Sequence, residues 1–72
     1  MTAKQKLQAK IESMKTSFIV TTLNTLAKPW DKYSVEERIV RTHLLKCYEE
    51  RMGEDAVDSL MDDLEILEES RR

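Results

Sequence analysis

The residues able to do chemistry in this chain are few. His43 and Cys47 are its only histidine and only cysteine, and they stand at i and i+4 of a predicted helix. That spacing brings an imidazole and a thiol to one face, where they could share a metal or where the imidazole could lower the thiol pKa. Two ligands do not complete a zinc site. The pair therefore reads as a small buried thiol beside a partly exposed imidazole, and neither a metal nor a cofactor is expected. Paired carboxylates occur at Glu36-Glu37, Glu49-Glu50, Asp62-Asp63 and Glu68-Glu69. Neighbouring residues on a helix diverge by about 100°, so these pairs do not converge on one substrate atom. One glycine cannot build a phosphate-cradling loop. No catalytic residues are assigned, and the chain is expected not to be an enzyme.

Helices must carry these residues. Gly and Pro occur once each in 72 residues, and charged residues make up 36%, a composition that favours helix over sheet. Three segments follow, at about 3–27, 34–52 and 55–70. In the first, Leu7, Ile11, Met14 and Phe18 keep a 4-3-4 spacing and form one stripe. Ile19, Leu23 and Leu26 form a second line, rotated by roughly a third of a turn. The helix either bends there or buries two faces. The β-branched run Ile19-Val20-Thr21-Thr22 weakens helix locally, and a short strand is the competing reading, disfavoured because it has no partner strand. Pro29 ends the segment, and residues 28–33 are a linker.

Ser34 and Glu37 form a Ser-x-x-Glu capping box, the most specific local signal in the chain. The helix it opens carries Val40, Leu44, Cys47, Tyr48 and Met52 on its main stripe, with Ile39 nearly opposite and Val35 and Leu45 between. Apolar residues on two sides mark a central helix or one that faces a second subunit. Gly53 is placed at the left-handed position that ends it, and Asp55 is the expected N-cap of the last helix. There Val57, Leu60, Met61, Leu64 and Leu67 form the apolar stripe. Residues 71–72 are read as a tail prone to fraying.

The fold class is thus all-α, a three-helix arrangement in a single domain spanning 1–72. Below about 80 residues one core supplies little stability, and with one cysteine there is no internal disulfide, so helix packing and self-association remain. A small bundle completed by homodimerisation is expected. Candidate self-association residues are Ile19, Leu23, Leu26 and Ile39. No apolar run approaches the roughly 20 residues needed to span a bilayer, so no membrane partner is expected. A free thiol without a visible export signal points to the cytoplasm.

Charge ranks the surfaces. Residues 1–30 carry five lysines against one glutamate, a net of +4, whereas residues 53–72 carry eight acids against two arginines, a net of −6. Asp55, Asp58, Asp62, Glu65 and Glu69 share one strip of the last helix with no basic residue among them. Like charges at this spacing repel by a few tenths of a kcal/mol per pair. The strip should therefore lie near something positive. Either the basic first helix neutralises it, within the chain or across a dimer, or it is an acidic docking face for a basic partner. Trp30 and Tyr33, beside Pro29, are a candidate aromatic anchor or a plug over the end of the bundle. Lys6, Lys10 and Lys15 are candidate phosphate contacts for a nucleic-acid-binding alternative, but lysines alone lack the arginine fork that reads base edges. The expected function is a non-enzymatic protein-interaction module, a small regulator, inhibitor or adaptor that binds a larger protein. A purely structural oligomerisation unit is the third alternative. In compactness and lack of chemistry the chain is similar to the small accessory proteins of phages and mobile elements.

Overall fold

The computed structural model describes residues 2–72. Among them the chain is all-α and without strands: α1 (Ala3–Glu12), α2 (Thr16–Leu26), a 3-10 turn (Trp30–Lys32), α3 (Val35–Met52) and α4 (Glu54–Ser70). The long first helix expected over 3–27 is two helices. The Ser13 amide donates to Ala9 and the Met14 amide to Ile11, and Lys15 is extended. The carbonyls left open at the end of α1 are taken by the Arg51 guanidinium, which reaches across from α3 to Glu12 at 2.7 Å and also to Met14. A cation at a helix C-terminus also suits the dipole.

The break resets the helical phase, and this corrects two expectations. In an unbroken helix Phe18 would share a face with Ile11, seven residues earlier; after the break it is 57% exposed. Ile19 and Leu23, expected at a subunit interface, are fully buried and belong to the core with Ile11, Ala27, Leu44, Leu45, Cys47, Val57 and Leu64. The β-branched run is helical. Thr21 and Thr22 turn their hydroxyls back to the carbonyls of Ser17 and Phe18, at 3.0 and 2.7 Å, so each hydroxyl finds its acceptor within the helix.

α3 is the central element, as its two apolar sides suggested. It packs against α1, α2 and α4, and α2 also touches α4. The capping box at its start is complete, with the Glu37 amide donating to Ser34 Oγ at 3.1 Å and the Ser34 amide donating to Glu37 Oε1 at 3.0 Å. At its end Met52, read as part of the main stripe, is instead more than half exposed, because α4 turns away immediately after it. Gly53 alone joins α3 to α4, with φ 98° and ψ 168°. This residue, rather than Asp55, stands at the N-cap of α4, and Asp55 lies in the first turn. Such a conformation is essentially confined to glycine. No heavy atom lies within 4 Å of where a Cβ would be, so the cost of a side chain is purely one of backbone. Gly53→Ala should lower stability by about 1–3 kcal/mol, measured by urea unfolding, with no change in the helical circular dichroism of the folded state.

The C-terminal end is tied down. Arg71 donates to the carbonyls of Asn24 and Ala27, at 2.6 and 2.9 Å, and so caps α2 from the far end of the chain. Among the described residues no helix is long and apolar enough to cross a membrane.

Candidate functional site

The turn between α2 and α3 builds the most elaborate polar arrangement in the molecule. Pro29 is buried and opens the 3-10 turn, which sends Trp30 outward and Tyr33 inward. The Tyr33 hydroxyl donates to Glu68 of α4 and accepts from the Lys28 amide at 3.4 Å. Glu68 is also held by Arg41 of α3 in a fork, with Nε to Oε2 at 3.0 Å and Nη2 to Oε1 at 3.2 Å. Arg41 and Glu68 are both buried. Burial, and then the bond to Glu68, hold the Tyr33 phenol above its ordinary pKa, which keeps it a proton donor. The Lys28 ammonium pairs with Glu37 at the start of α3. That bond first, and the Ser34 amide second, lower the Glu37 carboxyl to about 2.

Trp30 covers this network from outside. Its ring meets Tyr33 edge-on at 5.6 Å between centroids. The guanidiniums of Arg38 and Arg41 lie 5.0 and 5.1 Å from its centre, within cation–π range. Arg38 also donates to the Trp30 carbonyl at 3.3 Å. Even so, Trp30 remains 50% exposed.

Beside it runs a groove whose walls are Trp30, Met61, Glu65 and Glu69, with the Arg41–Glu68 pair as its floor. Two groups of residues picked out separately in the sequence thus meet here: the aromatic anchor and the C-terminal half of the acidic strip. Their division of labour differs from expectation. Trp30 is the half-exposed member, whereas Tyr33 is buried and structural.

Asp55, Asp58, Asp62, Glu65 and Glu69 are all exposed along α4. Among the described residues only Glu69 has an ion pair, with Arg72 at 3.4 Å. No ion pair joins α1 to α4 among them, because α1 packs mainly on α3. Neutralisation of the strip by the basic first helix of the same chain is therefore not what the fold does. An apolar knob interrupts the strip, since Ile66 is 69% exposed and is flanked by Asp62, Glu65 and Glu69.

The remaining candidates are scattered. Lys6 and Lys10 lie exposed one turn apart on α1, and Lys15 lies in the break between α1 and α2. Leu26 is half-buried beside Phe18 on the outer side of α2, whereas Ile39 is 46% exposed on α3. His43 and Cys47 border a small crevice with Gln8, Glu12 and Glu50. Among the described residues no three His, Cys, Asp or Glu side chains converge as metal ligands.

Arg41 and Glu68 were not singled out from sequence, although a signal existed. Arg41 falls three and four residues before the buried Leu44 and Leu45, and Glu68 extends the series Val57, Met61, Leu64 by one turn. Each is a charge in the apolar phase of its helix, and the two are opposite in sign. Chemically the groove suits a cation. It offers an aromatic surface and exposed carboxylates, but its one buried carboxylate is already saturated by Arg41 and Tyr33. The chain matches no protein-family model, and neither a curated protein nor a solved structure is detectably similar to it.

Proposed function

We propose that this chain is a non-enzymatic interaction module that acts in the cytoplasm, forms a homodimer, and regulates a larger protein by docking a basic surface of it on α4. One observation carries the reading: the carboxylates of Asp55, Asp58, Asp62 and Glu65 are exposed, aligned and without ion pairs among the described residues. The repulsion along such a strip is relieved when a basic surface meets it. Ile66 and Trp30 supply what charge alone does not, namely apolar and aromatic area that can be desolvated at the centre of an interface. The charged rim then governs the rate of encounter and makes binding weaken with salt.

The test is affinity capture with the folded chain. Replacing Asp58, Asp62 and Glu65 together by Ser should reduce capture of the partner at least tenfold and make the residual binding less sensitive to salt, while the thermal melt stays within a few degrees. Capture that is unchanged by the three substitutions sinks the reading.

A further inference from the structure

We propose that a second copy of this chain seats the C-terminal half of its α4 in the groove between α1 and α3, and that the first copy returns the same contact. The inference rests on the reading of α4 as a docking ridge and gives that ridge a second occupant, which covers Asp62, Glu65 and Ile66 and so alternates there with the larger protein. The groove encloses about 660 Å³. Its floor is apolar, formed by Leu7, Ile39 and Val40, and its rim carries two cations, Lys4 and Arg38, against one acid, Glu36. It exists because α1 is a ten-residue helix laid along an eighteen-residue one; α1 leaves one flank of the first half of α3 uncovered, and Ile39 is exposed there.

The ridge is complementary in character to the floor and to the two cations of the rim. Ile66 is the knob, and Asp62, Glu65 and Glu69 surround it with negative charge. Apolar floor meets apolar knob, and basic rim meets acidic flank. Within one molecule the two cannot meet, because α1 and α4 pack on α3 separately and Ile66 stays in solvent. A second copy can supply the ridge. Stable interfaces bury about 800 Å² per partner, more than one short ridge in one groove provides. Reciprocal exchange doubles the area and closes the assembly as a two-fold pair, whereas a one-way contact would propagate into chains.

Sedimentation equilibrium of the purified full chain, over a concentration series, reads the association. The unmodified chain should approach twice the monomer mass. Ile39→Glu and Ile66→Glu should each raise the dissociation constant at least tenfold, with unchanged helical circular dichroism because both positions are exposed. Lys4→Glu should weaken association in the same way without altering apolar area, and adding Asp62→Lys to it should restore the dimer. An oxidised mixture of Ile39→Cys and Ile66→Cys chains should form disulfides between the two variants in preference to either with itself. A monomeric mass for the unmodified chain at millimolar concentration, a dimer indifferent to Ile39→Glu, or cross-linking of each cysteine variant only to itself overturns the proposal. Failure of the docking reading shows elsewhere, as unchanged partner capture by the α4 serine variant. The Ile39→Glu chain, whose α4 is intact, should still capture the partner.

Discussion

Replacing Glu68 by Gln should lower the stability of the chain by about 3–5 kcal/mol, the cost of stranding one member of a buried ion pair. The magnitude follows from what is left behind. Arg41 is buried, its fork points at both oxygens of Glu68, and Tyr33 donates to one of them. Glutamine keeps the shape but leaves a guanidinium in the interior without a counter-charge. For a chain of this length the whole stability is on the order of 4–11 kcal/mol. The melting temperature should therefore drop by on the order of 20 °C, as followed by circular dichroism. A second chain separates stranding from intrinsic worth. With Arg41→Met, Glu68→Leu and Tyr33→Phe combined, only the part-buried Lys28 amide loses a partner, a long bond at 3.4 Å, and most of the loss should be recovered, because apolar replacements of buried pairs are often neutral or better. If Glu68→Gln costs less than about 1 kcal/mol, the pair is solvated in solution and the groove beside Trp30 has no fixed floor.

Leu23→Ala should cost about 2–5 kcal/mol, the range for emptying a packed leucine site, whereas Phe18→Ala on the same helix should stay within about 0.5 kcal/mol, as exposed substitutions do. The contrast tests the break at residues 13–15 directly. Leu23 is fully buried and Phe18 is mostly exposed, an order that depends on α2 being rotated relative to α1. In one continuous helix Phe18 would extend the stripe of Leu7, Ile11 and Met14. The larger aromatic would then be the costlier loss. Urea unfolding of the two variants with equal m-values decides between the arrangements.

What could be read from sequence follows the range of the interactions involved. The start of α3 was legible to the residue because both halves of its capping box lie within four positions, Ser34 and Glu37. The end of α3 was legible through Gly53, although the joint proved tighter than expected and displaced Asp55 from the cap. The break between α1 and α2 was not. Ser13, Met14 and Lys15 are all tolerated in helices, and the group that stabilises the interruption is Arg51, far along the chain. Only the phase shift between the Ile11 and Ile19 lines hinted at it. Trp30 and the acidic strip were both visible, each as a local pattern. That they share one groove depends on the Tyr33–Glu68–Arg41 network, which links residues 27 and 35 positions apart. Charges default to solvent in any composition-based reading, so the two that are buried escaped notice.

Arg51 and Arg71 have a consequence for the surroundings in which this molecule can persist. Each clamps backbone carbonyls roughly 40 or more residues away in sequence, at the ends of α1 and α2. Small domains commonly obtain such long-range closure from disulfide bridges, which reductants cleave. Here the cross-chain ties are hydrogen bonds from guanidiniums that stay protonated across the physiological range, and the lone thiol is buried in the core. The staples are reversible, re-form on refolding without an oxidant or an isomerase, and keep their strength whatever the redox potential around them.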